Sequence, residues 1–164
     1  METPVKYLLL LVLFLVLKGL AAQDASVAWL NFEQLEDSLQ VRPRKVFIDF
    51  YADWCVYCQK MDRVAFRDPE VVRKLNSEFY AVRMNVESPD TIAFDGRRYT
   101  NPEAGKKRRP VHEIPRLLAS RKGLPFSLPA IVILDKDFRV ETRYFEYLSP
   151  KKMRELLEGH FPEN

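Results

Sequence analysis

Apolar residues along this chain follow two rhythms. Lys45 to Ala52 (KVFIDFYA), Phe79 to Val86 (FYAVRMNV) and Ala130 to Leu134 (AIVIL) are short runs dense in β-branched and aromatic side chains. That density predicts strands covered on both faces. Elsewhere the apolar positions fall three and four apart. Leu30, Leu35 and Leu39 predict an amphipathic first helix over 28–39, broken by Val41-Arg42-Pro43-Arg44. Met61, Val64 and Ala65 predict a helix starting at Cys55. Asp68-Pro69 reads as an N-cap followed by proline at the first helical position, opening a segment through Leu75. Ser149-Pro150 repeats that signal ahead of Met153, Leu156 and Leu157. Phe138 to Tyr147 follows the turn Asp135-Lys136-Asp137 as the returning strand of a hairpin.

Residues 87–127 break both rhythms. They hold Pro89, Pro102, Pro110, Pro115 and Pro125 and the basic cluster Lys106-Lys107-Arg108-Arg109. The first half reads as an irregular excursion, and Ile114 to Ser120 as a short helix closed by Gly123. The order is helix, strand, helix, strand, helix, strand, strand, helix. An alternation ending in a hairpin implies an α/β fold with a central mixed sheet flanked by helices.

The N-terminus carries an address. Tyr7 to Leu17 is an unbroken apolar run followed by Gly19-Leu20-Ala21-Ala22. The run is too short for a membrane-crossing helix, which needs about 20 residues. We expect a signal peptide over 1–22 rather than an uncleaved anchor, and one domain over 23–164. The protein is then secreted or periplasmic. At 47% hydrophobic and 12% aromatic, the chain has enough apolar matter for a packed core. A net charge of +3 is too weak to argue for nucleic acid.

The chain has two cysteines, Cys55 and Cys58, directly after a buried strand and at a helix start. Free N–H groups and the helix dipole favour a thiolate there, so Cys55 is expected as an exposed nucleophile. Cys58, one turn on, can then attack the mixed disulfide and release the client. A structural disulfide would close a very small loop and remove little unfolded-state entropy. A zinc site would need four ligands, and His112 and His160 lie at no ligand-like spacing, so no metal is expected.

Asp49-Phe50-Tyr51-Ala52-Asp53-Trp54-Cys55-Val56-Tyr57-Cys58 resembles the active-site segment of the thioredoxin superfamily. Tyr51 to Val56, followed by Phe66-Arg67-Asp68-Pro69, is similar to the C-terminal periplasmic domain of the disulfide-interchange reductase DsbD. The resemblance spans nearly all of 23–164 and implies a thioredoxin fold with an insertion, about 87–127, before the cis-proline strand. It implies that Asp49 is a buried acid exchanging protons with Cys58, supported by Arg83. It also implies that Pro129 is the cis-proline, although Pro125 is a rival, and that Trp54, Leu128 and Pro129 contact substrate. Val56-Tyr57 between the cysteines, Arg63 in place of a helix-kinking proline and Leu128 in place of threonine depart from thioredoxin itself. These departures bear on the choice of substrate rather than on the reaction.

The expected function is thiol–disulfide exchange without a bound cofactor, reducing disulfides in exported protein or peptide clients as a monomer. An electron donor is then required, expected as a membrane protein of DsbD or CcdA type. An oxidase or isomerase is the rival enzyme. A binding module with incidental cysteines is the rival of another class, with Phe94, Tyr99 and the basic insertion as its partner surface.

Overall fold

The structure, a computed structural model, describes residues 26–159. The expected signal peptide, the start of the domain at 23, and His160 lie outside these residues. Among the described residues no helix is long and apolar enough to cross a membrane.

Helix α1 (Phe32–Val41) starts later than the apolar spacing implied. Leu30 is extended, its N–H donating to Ala81 O at 2.8 Å and its C=O accepting from Arg83 N–H at 3.1 Å. A parallel bridge to the sheet edge therefore claims the residue that the helical spacing assigned to the helix. Asn31 and Gln34 close a capping box immediately after it.

Strand β1 (Lys45–Tyr51) is central. Helix α2 (Val56–Arg63), a 3-10 turn (Ala65–Arg67) and helix α3 (Pro69–Glu78) lead to β2 (Phe79–Asn85). This crossover makes β1 and β2 parallel, with Asp49 opposite Arg83. Strands β5 (Ala130–Leu134) and β6 (Val140–Tyr144) add antiparallel on the other side, giving the order β2-β1-β5-β6. Val64 was expected on the apolar face of a longer helix. It ends α2 instead and stands 42% exposed, while the 3-10 turn buries Ala65 and Phe66.

Alternation along β1 divides the core. Phe47 faces Met61 of α2, Val71 and Leu75 of α3, and Met153 and Leu156 of helix α5 (Pro150–Leu157). Val46, Ile48 and Phe50 face the opposite way, toward Phe32 and Leu35 of α1 and Ile114. Asp49 shares the parity of Phe47. Its carboxylate therefore belongs to the face covered by α2.

The 87–127 excursion sits between β2 and β5 and is more regular than expected. It contains a small hairpin, β3 (Ile92–Phe94) and β4 (Arg97–Tyr99), turning at Asp95 (φ 52°) and Gly96 (φ 65°). Two successive left-handed residues suit a two-residue hairpin turn. Helix α4 (Glu113–Ala119) is capped by His112 and ends at Ser120, so Gly123 serves a separate turn instead of closing it. Phe94 is buried, meeting Phe32 and Phe138 at 5.3 Å between ring centroids. It belongs to the core, not to the partner surface that the sequence suggested. The last strand (Val140–Tyr144) is shorter than expected at both ends, starting late because Phe138 takes φ 62° in the turn before it.

Candidate functional site

Strand β1 ends at Tyr51, and a tight turn follows in which Cys55 N–H donates to Ala52 O at 3.0 Å. This turn delivers Cys55 to the N-cap of α2, where its Sγ accepts from Cys58 N–H at 3.2 Å. The two cysteines form a disulfide, with Cα atoms 5.2 Å apart. An N-terminal sulfur is stabilised as an anion by such a donor and by the helix dipole. Cys55 is not exposed in this state. It is 4% accessible and Cys58 2%. The intervening residues carry the exposure, Val56 at 69% and Tyr57 at 57%.

Below α2 lies a row of charges. Asp49 is fully buried, and its Oδ2 accepts from Arg83 Nε at 3.1 Å. Arg83 Nη2 reaches Asp62 on α2 at 2.6 Å, one helical turn after Cys58. Its guanidinium also lies 4.2 Å from the centre of the Tyr51 ring. Burial pushes the Asp49 carboxyl up to about 7, with the nearby Asp62 charge adding to the rise and Arg83 opposing it. Asp49 Oδ1 has no hydrogen-bond partner. A half-satisfied carboxyl titrating near neutrality is suited to taking and returning a proton.

Beside the disulfide, Trp54 is 43% exposed and held by two residues of the insertion. Its Nε1–H donates to Glu87 Oε1 at 2.8 Å, and the Arg109 guanidinium lies 3.9 Å from the ring centre. The peptide bond Leu128–Pro129 is cis, and Pro125 shows no such bond. Leu128 is half-buried against the α1 face of the sheet and also lines a groove of about 250 Å³ with Trp54, Phe126 and Arg109. It thus packs on the core and faces the groove at once.

Two further residues fasten the insertion. Glu103 binds Lys107, Arg116 Nη2 at 2.7 Å and Val111 N–H at 3.1 Å. The Lys107 and Arg116 contacts pull its carboxyl down to about 2. His112 is fully buried, its Nδ1 accepting from Ile114 N–H at 3.2 Å and its Nε2 lying 3.1 Å from Asp90 O. Those partners place the proton on Nε2, and burial lowers the imidazole pKa.

Of the residues expected from sequence, Cys55 and Cys58 are bonded at the start of α2, Asp49 pairs with Arg83 on neighbouring strands, Trp54 and Leu128 line one groove, and Pro129 follows the cis bond. The sequence reading missed Asp62, Glu87 and Glu103, and named Arg109 only as part of the basic cluster. Asp62 had a signal, lying four residues after Cys58 on the same helical face. Glu87 and Glu103 act across long loop separations and left none.

A disulfide at a helix N-terminus, set over a mixed four-stranded sheet, defines a thioredoxin-type thiol–disulfide protein. The family model described as Thioredoxin-like matches residues 28–136, and the chain belongs to that family. Family and bonded Cys-x-x-Cys pair together support a thiol–disulfide oxidoreductase. Among curated relatives, DsbD of Haemophilus influenzae strain PittEE is 35% identical over 65 residues, covering 38% of this chain and 11% of that protein. The chain therefore spans only about a tenth of that relative's length. A thioredoxin from Thermus thermophilus superposes with a TM-score of 0.57 at 22% identity, covering 82% of this chain and 86% of the other. The oxidised C-terminal domain of Neisseria meningitidis DsbD gives 0.51 at 20% identity, covering 79% and 91%. At such identities these structures speak for the fold.

Proposed function

We propose that this protein reduces disulfides in exported client proteins, with Cys55 as nucleophile, Cys58 as resolving thiol and Asp49 as proton acceptor. The observation that carries the reading is the bonded Cys55–Cys58 pair on the helix under which Asp49 is desolvated. In the reduced protein, Cys55 thiolate attacks one sulfur of the client disulfide and expels the other as thiolate. Cys58 then gives its proton to Asp49 and attacks the Cys55 sulfur. The second client thiol leaves, and the Cys55–Cys58 disulfide forms. The client gains two electrons and the protein loses two. A membrane dithiol donor of DsbD or CcdA type outside the cytoplasm would restore the reduced form.

The absence of a histidine between the cysteines supports the reductive direction, since nothing there adds a fixed positive partner for the thiolate. The test is trapping. With Cys58→Ala, mixed disulfides between Cys55 and clients accumulate. With Cys55→Ala, both trapping and insulin reduction disappear. A Cys55→Ala variant that still reduced insulin at an appreciable rate would overturn the assignment.

A further inference from the structure

The positive charge of this chain is unevenly placed. Residues 87–127 contain nine lysines and arginines against five aspartates and glutamates, an excess of four. The whole chain has a net charge of only +3, so the remainder is slightly negative. Part of that segment walls the groove next to Trp54, where Lys107, Arg109 and Arg116 outnumber Glu87 and Glu103 by one.

Within that wall the cations differ in availability. Lys107 and Arg116 both bind Glu103 and are committed to holding the loop. Arg109 stacks on Trp54 and, among the described residues, makes no ion pair or hydrogen bond. Stacking covers one face of a guanidinium and leaves the N–H donors around its edge free, in a plane suited to a carboxylate. Trp54 cannot swing away with it, because Glu87 holds the indole nitrogen. Glu87 lines the same groove and spends its Oε1 on that bond, and no ion pair joins it to Arg109 among the described residues. Leu128 and Phe126 supply the apolar part of the same groove.

From this geometry we infer that the groove between Trp54, Leu128 and Arg109 binds an extended acidic segment of the client, seating a carboxylate on Arg109 next to the target cysteine. The inference rests on the exchange reading for its purpose, but the binding it describes does not need exchange. Apolar client side chains lie against Leu128 and Phe126, and the acidic residue reaches outward to the guanidinium. Client choice is then made by charge at one wall of the groove, and the chemistry is left to the sulfur pair.

The test uses the oxidised protein and two fluorescent peptides without thiols, alternating valine with glutamate in one and with lysine in the other. Fluorescence anisotropy should show the glutamate peptide binding about fivefold tighter than the lysine peptide at low salt, a scale set by one partly exposed ion pair. The difference should fade as salt shortens the screening length to about 3 Å near 1 M. Arg109→Glu should reverse the preference, and Arg109→Gln should abolish it should the former melt early. Arg98→Glu, which makes the same charge change on β4 away from the groove, should leave the preference in place. Equal binding of the two peptides, binding of neither, or loss of preference in Arg98→Glu as in Arg109→Glu would overturn the inference. Reduction of a neutral disulfide peptide by the reduced wild-type protein reads the exchange function separately, so the two ideas fail independently.

Discussion

Two arginines flank the disulfide, and they live in opposite electrostatic worlds. Arg83 lies beneath α2, between Asp49 and Asp62, in a setting desolvated enough to lift the Asp49 carboxyl to about 7. Arg109 lies beside α2 on an exposed indole, without an acidic partner among the described residues. Charges below the helix interact strongly because water is excluded, and small changes there alter proton affinity. Charges beside the helix are screened and contribute little to stability. The first arrangement is suited to timing a proton transfer, the second to choosing what comes near. One helix terminus thus separates chemistry from selection.

The largest effect should come from removing the buried acid. In Asp49→Asn, resolution of the mixed disulfide should slow by about a hundredfold above pH 7, the usual scale for losing a positioned proton acceptor. Its formation by Cys55 should change far less, as stopped-flow kinetics on a single turnover would show. The same variant should gain stability. The folded carboxyl keeps its proton up to about pH 7, whereas the ordinary value is 3.8. Between those values rising pH therefore favours the unfolded chain, and above about 7 the whole cost of a buried charge is present. Asp49→Asn should be more stable by about 2 kcal/mol at pH 8. At pH 4 that gain should vanish, which urea denaturation at the two pH values would measure. A gain of equal size at both would detach the effect from titration.

A smaller change should follow at the far end of the same row. Asp62 raises the Asp49 pKa through its charge and holds one nitrogen of Arg83. Asp62→Asn removes that charge and leaves Arg83 to Asp49 alone. The acidic limb of the exchange rate should move down by about half a pH unit. A pH–rate profile with an unmoved limb would show that the row does not act as a unit.

The smallest global effect belongs to the insertion. Glu103→Gln breaks the contacts to Lys107 and Arg116, so amide deuterium exchange should rise across 100–113. The melting temperature should fall by only about 2 °C or less, because the Lys107 and Arg116 ends of these pairs are exposed. Since the carboxyl titrates near 2, below its ordinary 4.5, its contacts hold at neutral pH and are lost only as pH falls toward 2. Loosening of the whole sheet instead would contradict the division drawn between the two regions.

That division also describes how far the sequence could be read. β1, β2 and β5 announced themselves through runs of β-branched and aromatic residues, and the resemblance of the segment around Cys55 singled out Asp49. Asp68 and Ser149 were legible as caps because Pro69 and Pro150 follow them, and both accept from backbone N–H groups as expected. The insertion was opaque for a physical reason. β3 and β4 have three residues each, too short for an alternation to show, and β4 carries Arg97 and Arg98. The one local cue to the turn between them, Asp95-Gly96, went unread. His112 and Glu103 fasten the loop through contacts to Asp90, Val111 and Arg116, which no local pattern encodes. Leu30 misled because an apolar residue at helical spacing can equally close a sheet edge.

The central claim is that Cys55 and Cys58 form a reducing pair. It is tested most directly by their equilibrium reduction potential, measured by titrating the purified protein in dithiothreitol or glutathione redox buffers. The potential should lie near the thioredoxin end of the known range, about −270 mV. A value near the strongly oxidising end, about −120 mV, would contradict it and make the protein an oxidase.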